Sequence, residues 1–138
     1  MDCIFCSIAN GEIPSSTVYE DDQTRVILDI NPAAAGHLLV LPKTHCTSLL
    51  ECDDALLGHV MSVAKKAGNG LKEALACDGV NILANCYPTA GQSVPHIHVH
   101  VIPRYENQPE KDGLTISQVE IGKPDADALA AKIAQAIR

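Results

Sequence analysis

Two hydrophobic periods divide the chain. Residues 3–9 bring Ile4, Phe5 and Ile8 together on a short helical turn, which Asn10, Gly11 and Pro14 end. Residues 17–19 and 25–30 read as strands flanking the polar turn Glu20, Asp21, Asp22 and Gln23, a hairpin. Asn31 and Pro32 break the second strand, and residues 36–42 form a third. The period then lengthens. After Asp53 or Asp54 as N-cap, Leu56, Leu57, Val60, Met61, Ala64, Ala67, Leu71, Ala74 and Leu75 keep a 3.6-residue phase to about Cys77, a long helix. Gly68 and Gly70 each cost that helix about 1 kcal/mol against alanine. The phase runs through them, so close packing against a sheet accounts for the small residues. Asp78 and Gly79 close the helix, residues 80–85 are a fourth strand, and residues 87–95 a loop. Residues 105–123 are polar and lack a clear assignment. Pro124 to Asp127 open a final helix with Leu129, Ile133 and Ile137 facing inward. Short turns between strands and few helices predict one α+β domain over residues 1–138, with a mainly antiparallel sheet.

Between the loop and the polar stretch the alternation is strict: His96, Ile97, His98, Val99, His100, Val101. On a strand the three histidines share one face and the aliphatic residues the other. Three of the six histidines of the chain fall in these five residues. Three readings of the row compete: packed interior histidines, a metal triad, and covalent phosphoryl or nucleotidyl transfer with one imidazole as nucleophile.

Charge and cysteine content narrow the setting. The net charge is −7 and no basic run occurs, which argues against broad contact with a nucleic-acid backbone. A small anionic ligand remains compatible, because backbone N–H groups and a few side chains suffice for one phosphate. No apolar run has membrane-spanning length, and the first residues lack the pattern of a signal peptide, so the expected location is cytoplasmic. In that compartment the six cysteines are expected to be reduced. Cys3 and Cys6 form a Cys-x-x-Cys pair, open to a redox or a zinc reading. Cys46, Cys52, Cys77 and Cys86 show no ligand spacing, and His59 lies within the long helix.

The row at 96–102 resembles the His-φ-His-φ-His-φ-φ pattern of the histidine triad (HIT) family of nucleotide-binding proteins. Asp29 to Pro32, Gly36 to Lys43, Asn85, and Gly91 to Ser93 resemble that family's other signature segments, in the same order. The likeness runs from about Cys3 to Arg104. It implies a five-stranded antiparallel sheet with one long helix packed on it, short N- and C-terminal helices, and a homodimer with a continuous sheet. It also implies a hydrolase or transferase that cleaves a nucleoside 5′-phosphate from an amine, phosphate or sulfate leaving group, of phosphoramidase or dinucleoside-polyphosphate type. The uridylyltransferase branch has glutamine at the last triad position; here that position is His100.

Residue roles follow from the resemblance. His98 is the expected nucleophile, oriented by the carbonyl of His96. His100 and His37 are expected on non-bridging phosphate oxygens, and Gln92 and Ser93 on developing charge. Asp29 matches a ribose ligand. Ile30, Asn85 and Gly91 match positions near the nucleotide, and Ile4, Phe5, Ile8 and Ile27 a purine pocket for AMP or GMP. Some relatives hold a structural zinc at positions matching Cys3, Cys6, His45 and His96. A closed Cys2His2 set leaves no position for a catalytic water. Two other classes stay open. One is a nucleotide-binding interaction module with incidental turnover. The other is a metalloenzyme with zinc on His96, His98 and His100.

Overall fold

The N-terminal hairpin forms as expected and starts the sheet. A computed structural model of the chain describes residues 3–107, 114 and 116–137. Met1 and Asp2, from the stretch tested for a signal peptide, and residues 108–113 and 115, from the polar stretch, lie outside the described residues. Strand β1 (Thr17–Glu20) pairs antiparallel with β2 (Thr24–Leu28), Glu20 opposite Arg25. Asp21 makes the turn: its Oδ1 accepts from the backbone of Gln23 and Thr24 and from the Thr24 hydroxyl, all at 2.9 Å. Strand β2 ends at Leu28, short of Ile30, because Asp29 Oδ1 turns to accept the Asn31 N–H at 2.8 Å.

Strands β3 (Leu38–Pro42), β4 (Gly79–Leu83) and β5 (Val99–Arg104) complete a five-stranded antiparallel sheet, order β1-β2-β3-β5-β4. Strand alternation then sorts two cores. Val26, Leu38, Val40, Val99 and Val101 face the long helix α2 (Asp54–Leu75) and meet Leu56, Val60, Val63, Ala64 and Leu71. Ile27, Leu39 and Leu41 face the other way, where Ala9, Phe5 and Ile8 of the short helix α1 (Ile4–Ala9) cover them. Arg25 ties α1 down, its Nε donating to the Ala9 carbonyl at 3.1 Å. No helix among the described residues is long and apolar enough to cross a membrane.

Asp53 is the N-cap of α2, accepting from Ala55 and Leu56 N–H at 3.1 and 3.2 Å. The helix ends earlier than its apolar phase suggested. Ala76, at φ 52°, takes the left-handed cap, while Gly79 opens β4. A side chain at Gly68 would touch Val80 and Val101, in line with close packing. One at Gly70 would meet open space, so packing does not explain that glycine. The largest departure is α3 (Lys123–Ala136). Leu129, Ile133 and Ile137 are exposed rather than inward, and the helix has no buried residue. The stretch before it is not uniformly polar either: Ile116 and Val119 stand 78% and 87% exposed.

Candidate active site and metal centre

Paired ladder structure begins only at Val99, so His96, at the end of a bend, and His98 both precede β5. The reason is local. The His96 carbonyl is taken by the side chain of His98, and the Ile97 N–H donates across to the Cys46 carbonyl at 2.8 Å. A carbonyl can only accept, so His98 Nδ1 carries the proton in that 2.8 Å bond. In the neutral ring, Nε2 is then a bare lone pair. Phe5 meets the His98 ring edge-on at 5.0 Å, and the His100 ring lies 5.1 Å from it.

His100 is held by a second chain of bonds. The Ala33 N–H donates to His37 Nδ1 at 2.9 Å, so His37 carries its proton on Nε2. That N–H points at His100 Nδ1, also at 2.9 Å, which leaves the His100 proton on Nε2. Asp29 Oδ2 lies 3.5 Å from His37 Nε2. Burial keeps His37 and His100 neutral. It holds His37 below the usual range, and it brings His100 to about 4, with His98 and His37 adding to the effect. His37 is 5% exposed, and both its nitrogens are engaged.

The loop before the row has a similar division. Gln92 is buried. Its amide nitrogen donates to the Thr47 carbonyl and, at 3.0 Å, to the Val94 carbonyl, and its oxygen accepts the Tyr87 N–H at 2.7 Å. The side chain therefore ties the loop together. Ser93 is exposed and lines a cavity of about 450 Å3 with Cys3, Ile4, His45 and Thr47. Gly91 has φ +99°, and a Cβ there would press on the Asn85 amide, which donates to the Gly91 carbonyl at 3.4 Å. Asn85 and Gly91 thus act as one clamp. Of the expected pocket residues, Ile27 is buried, Phe5 and Ile8 are half-buried, and Ile4 and Ile30 are 53% and 91% exposed.

Four ligand-type atoms converge beside this row. Cys6 Sγ lies 3.3 Å from His45 Nδ1 and 3.4 Å from His96 Nδ1; Cys3 Sγ is 3.4 Å from His96 Nδ1, and the two Nδ1 atoms are 3.2 Å apart. All four lie within 4.8 Å of one another. Edges of about 3.3–3.8 Å follow from Zn–S near 2.3 Å and Zn–N near 2.0–2.1 Å in a tetrahedron, so the set is of the size that ion requires. The protonation also fits. His96 Nε2 donates to the Pro42 carbonyl at 2.9 Å, leaving the Nδ1 lone pair aimed at the cluster. Burial, then His45 and His98, bring His96 down to about 4, so it is neutral. Burial and the Cys3 thiol push the Cys6 thiol up to about 11. His98 and His100 are not members; a separate group, Asp29, His37 and His100, lies on the far side of the row.

The HIT domain family model matches residues 10–107, well over half the chain. The chain belongs to the HIT family. The match to the HIT model takes in all five strands and the three histidines, while Cys3, Cys6 and α3 lie outside it. Among curated HIT relatives, the adenosine 5′-monophosphoramidase HNT1 of Saccharomyces cerevisiae is 40% identical over 114 residues, covering 83% of this chain and 68% of that one. The adenylylsulfatase HINT3 of Arabidopsis thaliana is 40% identical over 105 residues, 76% of this chain and 53% of the relative. The crystal structure of SMU.412c from Streptococcus mutans aligns at TM-score 0.91 and 38% identity, over 99% of this chain and 86% of that one. A zinc-bound histidine triad family protein from Mycobacterium smegmatis aligns at TM-score 0.75 and 35% identity, over 98% and 95%.

Sequence reasoning had no access to the backbone groups that set the proton positions. The Pro42 carbonyl, the Ala33 N–H and the Thr47 carbonyl carry no side-chain signal. His59 had a partner waiting far away in sequence: its Nε2 lies 2.8 Å from Asp21 Oδ2.

Proposed function

We propose that this protein hydrolyses nucleoside 5′-phosphate derivatives, AMP- or GMP-amidates or a dinucleoside polyphosphate, through a covalent nucleotidyl-histidine at His98. One observation carries the reading: His98 spends its only proton on the His96 carbonyl, leaving Nε2 as a lone pair beside a donor-bearing His100. His98 Nε2 attacks the α-phosphorus. The bond to the leaving group breaks with its electron pair going to the departing nitrogen or oxygen, which takes up a proton from water. A water then attacks the phosphorus, releases the nucleoside monophosphate, gives up a proton and restores neutral His98. Splitting the displacement lowers each barrier. His100 Nε2–H stabilises a non-bridging oxygen, with His37 positioning it from behind. Ser93 supplies a hydroxyl near the leaving group. Asp29 accepts from the ribose, and Phe5, Ile8, Ile27, Ile4 and Ile30 offer apolar surface to the base. The names of HNT1 and HINT3, with nitrogen and sulfate leaving groups, support the same class of reaction.

The Cys3, Cys6, His45 and His96 set holds a structural zinc in this reading. All its donors come from the protein, and the ion anchors α1 to the site. Two chains pair, since among the described residues β1 and β4 each leave one edge of the sheet without a neighbouring strand. The test is His98→Asn with an adenosine phosphoramidate as substrate. Turnover is lost while AMP still binds, and rapid acid quench of the wild-type enzyme yields a chain heavier by one AMP. A variant that retains wild-type kcat removes the covalent step from the mechanism.

A further inference from the structure

Tyr87 holds a backbone conformation that its side chain disfavours. At φ 73° and ψ 158° it stands in a region that glycine occupies almost alone. Pro88, next in the chain, accounts for ψ, because a residue before proline is driven to an extended ψ. Nothing of that kind accounts for φ. Tyr87 is 43% exposed, so burial of its ring does not compensate the strain. Such a conformation persists only where its surroundings hold it from several directions, and it is found most often at functional sites.

The polar groups of Tyr87 are all held. Its N–H donates to the side-chain oxygen of Gln92 at 2.7 Å. Its carbonyl accepts the Ala90 and Gln92 N–H groups, both at 3.1 Å. Its hydroxyl donates to Glu51 Oε2, also at 3.1 Å. Tyr87 and Gln92 thus close a ring in which each gives its backbone N–H to the other. Rotation about φ swings the Tyr87 carbonyl relative to its N–H, so a relaxed backbone would open the ring on one side. The buried Gln92 amide ties the ring to the carbonyls of Thr47 and Val94.

The next residue is Ser93. Its hydroxyl has no hydrogen-bond partner among the described residues, and it lines the cavity beside Cys3 and His45. We propose that Tyr87 is a positioning residue: its strained backbone locks Gln92, and Gln92 fixes the direction in which Ser93 offers its hydroxyl to the departing group. This rests on the covalent hydrolase reading and adds to it the device that lets a basic amine leave. In the first step the P–N bond breaks and its electron pair passes to nitrogen. The Ser93 O–H donates a hydrogen bond to that nitrogen, and water supplies its proton. A basic alkylamine develops the most charge there and needs that donor most; a nitro-substituted aniline spreads the charge over its own ring and needs it least.

The experiment compares adenosine phosphoramidates of alkylamines with those of nitroanilines. The readout is kcat/KM, which reports the first step through amine departure, with AMP binding measured separately. Tyr87→Val resists a positive φ, whereas Tyr87→Gly adopts it freely. In Tyr87→Val, kcat/KM for the alkylamines should fall roughly tenfold, while the nitroanilines and AMP affinity stay within about twofold. Tyr87→Gly should recover most of the alkylamine rate although it lacks the ring. Gln92→Met opens the same ring from its other side and should repeat the Tyr87→Val pattern, so the test does not depend on the folding of one variant. In a Ser93→Ala background, Tyr87→Val should cost nothing further, because both remove one contact. Equal losses for both series would reduce Tyr87 to support of the fold and overturn the proposal. So would a Tyr87→Gly enzyme as slow as Tyr87→Val, a further loss in the Ser93→Ala background, or no change in any variant. A wild type that releases no amine and gives no adenylylated chain on acid quench removes the hydrolase reading and this proposal together; the other outcomes fault the role of Tyr87 alone.

Discussion

His37 offers the sharpest test of the proton arrangement, because it touches the reaction only through His100. Replacing His37 with Phe keeps a ring in the cavity but removes both nitrogens. The Ala33 N–H loses its acceptor, and His100 Nδ1 loses the donor that keeps its proton on Nε2. A His100 free to carry its proton on Nδ1 offers a lone pair, not a donor, to the phosphate oxygen. A hydrogen bond to a charged group contributes about 1.5–3 kcal/mol, so kcat should fall roughly 10- to 150-fold. AMP affinity should fall less, since many other contacts hold the ground state. His37→Gln restores a donor towards His100 and should recover part of the rate. The assay is hydrolysis of an adenosine phosphoramidate with a fluorescent amine, with AMP binding measured separately. Acid stability gives a second readout. His100 is depressed from 6.5 to about 4 in the folded state, and His37 is lowered too. Their unfolded forms bind protons first, so stability is fully present above pH 6.5 and is lost as pH falls towards 4. Removing His37 abolishes its own share and relieves part of the depression on His100. The variant's urea midpoint should therefore vary less between pH 6.5 and 4 than the wild type's. A His37→Phe enzyme with kcat within twofold of wild type, or an unchanged acid slope, would refute the relay.

Two further outcomes follow from the metal cluster and the α2 cap. Protein purified without chelator should contain about one zinc per chain, and Cys3→Ser with Cys6→Ser should lose it and melt more than about 5 °C lower. That double variant should retain substantial hydrolysis, because His98 is oriented by a backbone carbonyl and not by the ion; metal found on His98 would revive the metalloenzyme reading. Ala76→Gly places the residue best suited to φ 52° at the helix cap and should stabilise by about 0.5–1 kcal/mol, seen as a melting point about 2–4 °C higher. A lower melting point would mean that the cap is not strained.

The readable part of the fold was the part in which side-chain period and burial agree. The α2 stripe shows both the success and its limit. Leu56, Val60, Ala64 and Leu71 are buried as the 3.6 period requires, yet Met61 and Leu75, in the same phase, are about 40% exposed. Period gives the direction of a face; it does not say how far the opposing surface extends. Here α2 packs mainly on β5 and β3 and less on β4 and β2, and the stripe overruns that cover. The early end of the helix has a different cause. Asp-Gly is a strong turn signal, but the left-handed position went to Ala76, which has no local sequence signature for that role.

Side-chain chemistry was legible and its proton positions were not. The alternation of three histidines pointed to a site, and the resemblance divided them between a metal cluster and a nucleophile with its neighbour. The structure brings Cys3, Cys6, His45 and His96 together and keeps His98 and His100 outside that group. What decides the role of each ring, however, is which nitrogen meets a backbone group. Pro42 C=O leaves the His96 lone pair on Nδ1, His96 C=O leaves that of His98 on Nε2, and Ala33 N–H makes His37 a donor to His100. Chemically identical rings thus take different proton positions from main-chain atoms that every sequence contains. Gln92 and His37 show the same dependence, since the polar atoms of each are engaged by neighbouring groups of the chain. A polar residue in a signature segment is equally suited to holding the segment in shape, and only the direction of its hydrogen bonds separates the two roles.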